Sequence, residues 1–285
     1  MKHASDRVID AHHHYWWLGK RRHLWPAAAG DKLNRSYTPE DFEPLRAAAG
    51  VDAAVLIQSR NDYEETVEFL ELAGRRQDIA GVVGWVPLGA AVETSLRLDA
   101  LPHLDKLVGI RHLINFESDS RWLLRDGVMA SIGEIDRRGL VFDAVPVDSV
   151  QFDAVLEVAS LYPRMHVVLD HLARPPVGGT ENQEWRKRIA KAARQPNVSI
   201  KLSVGLDVLM GWVWSVDQLR PHVALVLDEF GSERVMAASN WPVCNLAADY
   251  QTVWDGLRAL TSGLPAAGQA AVFGGNATKI FQLRE

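Results

Sequence analysis

A closed (β/α)8 barrel is the fold this sequence predicts, and three observations carry the prediction. Short apolar runs rich in β-branched residues recur along the chain, as parallel strands covered on both faces require. Between them lie polar turns and segments with 3.6-residue periodicity, so strand and helix alternate from end to end. The chain has 285 residues, close to the roughly 250 of a barrel built from eight such units.

The strands are expected at Arg7–Ala11, Ala53–Gln58, Gly81–Pro87, Val108–Ile114, Leu140–Val145, His166–His171, Val198–Leu202 and Arg234–Ser239. The first is followed by an irregular stretch, Leu18 to Thr38, with Pro26 and the run Lys20-Arg21-Arg22-His23; in a barrel it is the first βα loop. After the second strand, Tyr63, Val67, Leu70 and Ala73 share a helical face over Tyr63–Gly74. After the fifth, Phe152, Val155, Leu156, Ala159 and Tyr162 do so over Phe152–Tyr162. Asn276 is expected to cap a last helix, Ala277–Leu283. The competing architecture is an open doubly wound sheet, but no G-x-G-x-x-G turn follows the first strand. No linker, low-complexity tract or charge block divides the chain, so residues 1–285 read as one domain.

Composition excludes several classes. Lys plus Arg is 31 against 36 Asp plus Glu, a net charge of -5, which argues against nucleic acid as a partner. No apolar run approaches the roughly 18–20 residues of a membrane span. Met1 to Arg7 is polar, without the apolar core of a signal peptide, and the single cysteine, Cys244, permits no internal disulfide. A cytoplasmic protein is expected. Cys244 reads as a small buried hydrophobe, and the Lys20-Arg21-Arg22 run as solvated charge. The sequence leaves homo-oligomerisation open.

On a barrel, chemistry sits at the C-terminal ends of the strands, and polar residues collect there. Strand one ends in Asp10-Ala11-His12-His13-His14, strand four in Arg111-His112, strand six in Asp170-His171. Strand seven carries Lys201, and strand eight runs into Asn240-Trp241. In extended chain His12 and His14 point one way and His13 the other. A His-x-His pair at a strand end can place two imidazoles on one metal or one substrate.

These residues resemble the amidohydrolase superfamily. Val8-Ile9-Asp10-Ala11-His12-His13-His14, Val83-Gly84-Trp85-Val86, Gly109-Ile110-Arg111-His112, Val168-Leu169-Asp170-His171-Leu172 and Ser239-Asn240-Trp241-Pro242-Val243 carry the resemblance in order. It is nearest to the lactonase-like amidohydrolase 2 group, whose members open L-fucono-, L-rhamnono- and 2-pyrone-4,6-dicarboxylate lactones. The resemblance implies hydrolysis of a small lactone on a (β/α)8 barrel. It also implies that His12, His14 and His171 occupy metal-ligand positions, for one divalent ion such as Zn²⁺. Members occur with and without such an ion, so metal-independent catalysis is equally compatible with it.

One position departs from the pattern. The superfamily has Asp at the end of strand eight as ligand and base; this chain has Asn240. An amide cannot take a proton near neutral pH and is a weaker ligand for Zn²⁺. Natural variation with an imidazole base, an engineered Asp-to-Asn change and a binding-only relative are the three explanations. A decarboxylase of the same superfamily is the other enzymatic alternative. With Asn240 in place, the base falls to His171, His14 or His112. Arg111 is expected to meet a substrate oxyanion or a neighbouring carboxylate. Lys201 needs a partner, substrate or charge network. Trp16, Trp122 and Trp241 are expected to wall the substrate pocket. Asp170, preceding His171 in a strand, is expected to point away from it and to act structurally or as a partner behind the residues of the site.

Overall fold

The computed structural model describes residues 7–21, 23, 26–177 and 183–284; the expectations for the polar N-terminus and for Arg22 fall outside these. Eight strands form one parallel sheet in chain order: β1 Ile9–His13, β2 Ala53–Ile57, β3 Ile79–Gly84, β4 Leu107–Arg111, β5 Val141–Ala144, β6 Val167–Leu169, β7 Val198–Lys201 and β8 Val235–Met236. The sheet closes on itself where the segment after β8 meets β1. There Ala11 N donates to Ala237 O at 3.0 Å, Asn240 N to His12 O at 2.9 Å and His14 N to Trp241 O at 2.8 Å. The fold is a single (β/α)8 barrel. Every strand residue is buried, the reason the strands read as unbroken apolar runs rather than as alternating ones.

The surrounding helices start where short polar side chains can accept from their free amides. Asp62 accepts from Glu65 N at the head of Tyr63–Ala73, and Asp148 from Gln151 N before Ser149–Leu161. Ser215 and Asp249 do the same for Val216–Phe230 and Tyr250–Thr261. The two helices anticipated from periodicity are present. In the first the buried face is rotated from the expected one: Thr66, Phe69, Leu70 and Ala73 are buried, whereas Tyr63 stays at the edge and donates to Arg97 O. In the second the buried set includes the expected Phe152, Val155, Leu156 and Ala159.

At the N-terminal end of the barrel, Ile9, Ala53, Val108 and Met236 join Ile280, Phe281 and Leu283 of the C-terminal segment in one apolar cluster. Asn276 lies in the helix Asn276–Ile280 rather than before it, and its amide donates to Ser232 O and Val235 O. It ties β8 to this floor, which corrects the expectation of a helix cap. Cys244 is a buried free thiol. Among the described residues no helix is long and apolar enough to cross a membrane.

Candidate active site

The site begins with an irregularity in β1. Asp10 points out of the barrel, where Tyr250 Oη donates to it at 3.2 Å, while Ile9 and Ala11 pack in the cluster with Phe281. Strict alternation would then send His12 outward with Asp10. Instead the pairing of β1 with β2 shifts register between Asp10 and His13, and such a bulge re-aims the side chains beyond it. Asp10 Oδ1 secures the bend by accepting from His12 N at 3.1 Å and Ser239 N at 2.9 Å. Burial pushes the Asp10 carboxyl up to about 6, against the hydrogen bonds from Ser239. Beyond the bulge His12 and His14 face each other, Nε2 to Nε2 at 3.0 Å. His13 turns away, stacked on Phe42 with ring centroids 4.6 Å apart, its Nδ1 donating to Val55 O. The expected opposition of His13 to its neighbours is what the structure has.

Strand β6 ends differently from expectation. Its last residue is Leu169, and His171, Leu172, Ala173 and Arg174 then adopt φ of 56°, 53°, 52° and 59°. Four successive left-handed residues without glycine are unfavourable by roughly 1–2 kcal/mol each. The turn is held by Ala173 N to Asp170 O at 2.9 Å, Arg174 N to His171 O at 2.8 Å and the Trp185 indole donating to Leu172 O at 2.9 Å. Its effect is that Asp170 and His171, adjacent in sequence, both join the central cluster. Asp170 Oδ1 accepts from His12 Nδ1 at 3.1 Å, and the His12 and His171 rings lie 4.7 Å apart. Asp170 faces inward by alternation, two residues after Val168 of the interior cluster, and stands behind His12 as one of its two expected roles required; the left-handed turn that also brings His171 inward is what strand reasoning missed.

Asp170 is also the hub of the charges. Arg111 Nη1 donates to its Oδ2 at 2.8 Å, and Lys201 Nζ to its Oδ1 at 2.9 Å; Lys201 also meets Asp143 Oδ2 and lies 3.2 Å from His12 Nδ1. All of these residues are buried. Lys201 thus satisfies the partner requirement inside the protein, through a carboxylate pair. Arg111 has a carboxylate partner and also lines the cavity described below. Burial works against the charged form of Asp170, yet His12 and Lys201 hold its carboxyl well below the usual range. Burial and the nearby Asp170 push Asp143 up to about 7. The imidazoles go the other way: burial drives His12 and His14 well below their ordinary values and His171 down to about 4. All three are neutral at pH 7 and carry a free lone pair.

A cavity of about 300 Å³ opens over this cluster. Arg111, His14, His171 and Asn240 contribute to its floor, and Leu113, Phe116, Val145, Leu206, Met210 and Val243 to its walls. Asn240 follows β8 with φ 57°, a conformation that Asn tolerates better than most residues. Its Nδ2 donates to Val204 O at 2.9 Å, and its buried Oδ1 has no partner among the described residues. The other expected residues sit further away. His112 is buried with both ring nitrogens engaged, Nδ1 accepting from the Trp85 indole at 2.9 Å and Nε2 lying 2.8 Å from Glu117 Oε1. Trp122 stacks on that ring at 4.1 Å. Trp241 packs against Phe42, Tyr15 and Tyr37, and Trp16 against Tyr37 with its indole on Arg35 O. None of the three tryptophans lines the cavity, where Phe116 is the one aromatic wall residue among the described residues. Their bulk goes instead into packing on neighbouring rings: His112 for Trp122, Tyr37 for Trp16 and Phe42 for Trp241.

Metal-binding capacity can be judged from the tautomers. His14 Nδ1 faces Ile57 O at 2.9 Å and His12 Nδ1 faces a carboxylate, so both Nδ1 atoms carry the proton. Their Nε2 lone pairs then confront each other at 3.0 Å. Without a proton or cation between them this contact is repulsive. Two nitrogens on one zinc ion, each bonded at about 2.0–2.1 Å, also stand a little over 3 Å apart. The back-side partners, a carbonyl and a carboxylate, are those that orient metal-ligating histidines. His12, Asp170 and His171 offer ligand atoms within 4.8 Å of one another, and Asn240 Oδ1 adds a neutral oxygen. The residues fit one divalent ion of the zinc type.

The family model described as amidohydrolase matches residues 9–283. The chain is 33% identical over 279 residues to an L-fucono-1,5-lactonase of Burkholderia ambifaria, covering 96% of this chain and 95% of that one. It is 31% identical to an L-fucono-1,5-lactonase of Burkholderia multivorans, covering 97% and 96%. A crystal structure of an amidohydrolase from Burkholderia multivorans with bound zinc superposes with a TM-score of 0.90 at 30% identity, over 98% of this chain and all of that one. A matched length of nearly the whole chain and a shared barrel lead to one conclusion: the chain belongs to the amidohydrolase family.

Proposed function

We propose that the chain is a lactonase that hydrolyses the ester bond of a sugar-acid lactone at the C-terminal mouth of the barrel. The observation that carries this reading is the convergence of three neutral imidazoles, Arg111 and Asp170 beneath one small cavity, in a chain similar along its whole length to two L-fucono-1,5-lactonases.

His12 and His14 would hold a divalent ion through their facing Nε2 atoms, which when bound supplies polarisation of the ester carbonyl and a more acidic water, and the lone pair of His171 is left for proton transfer. Asp170 orients His12 through Nδ1, and Ile57 O orients His14. His171, neutral and lining the cavity, takes the proton of the attacking water as oxygen bonds to the carbonyl carbon. Arg111, whose guanidinium lines the cavity, stabilises the oxyanion as it forms. When the ring C–O bond breaks, the imidazolium returns the proton to the departing ring oxygen, leaving hydroxy acid and neutral His171. His112, with both nitrogens occupied, is left to shape the wall behind Leu113. We also infer a cytoplasmic location, a reading that rests on the sparse cysteine content, a single Cys244.

The test is a hydrolysis screen over sugar-acid and aromatic lactones with and without chelator, followed by proton release and corrected for spontaneous opening. Turnover of a sugar-acid lactone that is lost in His171→Gln is expected. Failure to open any lactone, with decarboxylation of a carboxylated substrate instead, would overturn the reading.

A further inference from the structure

We infer that Asp207 is the specificity-determining residue that accepts hydrogen bonds from the substrate's ring hydroxyls, with Arg174 as its positioning residue. The inference rests on the lactonase reading and deepens it.

Above the floor, the cavity is short of polar groups. Among the described lining residues only Ser59, Asn115, Arg174 and Asp207 offer polar side chains there. A hydroxylated lactone buried against aliphatic walls must find partners for its hydroxyls or lose affinity. Ser59 is already engaged, its Oγ lying between Glu65 Oε1 and His23 Nε2 at 2.7 Å. Arg174 and Asp207 stand on the His171 side of the cavity. Arg174 Nη2 donates to Asp207 Oδ2 at 2.7 Å, which leaves Oδ1 to face other donors. A carboxylate is acceptor-only, so its fit is to groups that donate, as hydroxyls do.

The second observation concerns Gly205. Its φ of -79° and ψ of 160° are open to any residue, so backbone conformation does not call for glycine. Space does. A Cβ at position 205 would stand 2.9 Å from Asp207 Oδ1 and 3.5 Å from His171 Cβ. Gly205 also lines the cavity. The missing side chain lets the Asp207 carboxylate lie directly over residue 205, beside the His171 ring at the edge of the cavity floor, and a methyl group there would push the carboxylate aside.

Arg174 owes its position to the left-handed turn that begins at His171, so the same strained segment sets both the floor imidazole and the cation that orients Asp207.

The experiment compares kcat/KM for L-fucono-1,5-lactone with that for unsubstituted δ-valerolactone in wild type, Asp207→Asn, Arg174→Lys, Arg174→Met and Gly205→Ala. Asp207→Asn should lower the ratio of the two at least tenfold, chiefly through KM of the hydroxylated substrate. Gly205→Ala should lower it as well, and Arg174→Lys should restore more of it than Arg174→Met. An unchanged ratio in Asp207→Asn and Gly205→Ala overturns the inference, as does an equal loss on both substrates. Calorimetric binding of L-fuconate separates the two readings. A wild type that opens no lactone, yet binds the sugar acid with an affinity that Asp207→Asn lowers at least tenfold, would sink the lactonase reading alone. Binding that Asp207→Asn leaves unchanged would sink this one.

Discussion

The side chain of Asn240 donates from Nδ2 to the carbonyl of Val204 at 2.9 Å. An aspartate in its place would set a carboxylate oxygen against that carbonyl oxygen and bury a further negative charge in the cavity floor. Asn240→Asp should therefore lose stability, by about 1–3 kcal/mol for the broken buried hydrogen bond. It should gain less than tenfold in kcat/KM. Thermal melts and lactone kinetics on the purified variant check both; a hundredfold gain would mean that the carboxylate is the missing base.

Arg111 is both a cavity residue and the partner of buried Asp170. Arg111→Ala should cost on the order of 2.7–4 kcal/mol of transition-state stabilisation. It should also cost stability on the scale of about 3–5 kcal/mol, because a buried carboxylate loses a cation. Arg111→Lys separates the two: the charge is retained and the fork is lost. Its melting temperature should stay near wild type while kcat/KM falls more than tenfold.

Lys201 holds two buried carboxylates and touches no cavity surface. Lys201→Met leaves Asp143 and Asp170 facing each other with one cation fewer. Urea unfolding at pH 7 should show a loss of roughly 3–5 kcal/mol, and lowering the pH should recover part of it, since protonation of Asp143 removes the repulsion. A variant as stable as wild type at pH 7 would show that the lysine does not hold this pair together.

Metal removal has a definite expectation. Zinc should bind at one equivalent per chain, and Asp170→Asn should weaken it by about 10–100-fold, the usual cost of losing the partner that orients a ligating histidine. Elemental analysis and competition with a chromophoric chelator measure it. Binding untouched by His12→Gln would remove the imidazole pair from the site.

Stability should fall in acid. His13, His23 and His171 are pushed by burial to about 3, 4 and 4, and His12 and His14 well below their ordinary values. Unfolding lets each take up a proton below its unfolded value near 6.5, so stability is full above that pH and is lost as pH falls toward 4. Asp10, Glu65 and Asp143, raised by burial to about 6, 7 and 7, oppose this, since the folded state keeps their protons over the same window. The histidines outnumber them, and urea midpoints should drop between pH 7 and pH 5. A flat profile would mean that the imidazoles are not buried neutral.

What the sequence determined by itself is the local order: eight apolar strands, the helices between them, and the strand ends at which His12, His14, Arg111, His171, Lys201 and Asn240 gather. These follow from periodicity, which a linear chain displays openly. The tertiary structure decided what depends on departures from regular geometry and on closure of the barrel. The bulge after Asp10 brings His12 inward, and the left-handed turn that starts at His171 brings that imidazole into the cluster which Asp170, two residues after inward-facing Val168, enters by alternation; an ideal strand would send both His12 and His171 outward. The destination of the tryptophans was equally invisible. Trp241 packs on Phe42 of the helix Pro39–Ala48, and Trp16 on Tyr37 and His23 of the first βα loop, contacts between segments that only closure of the barrel brings together. Whether Lys201 meets substrate or carboxylate turned on β5 and β6 lying beside β7, a contact between residues 58 apart in sequence for Asp143, and no pattern along the chain encodes it.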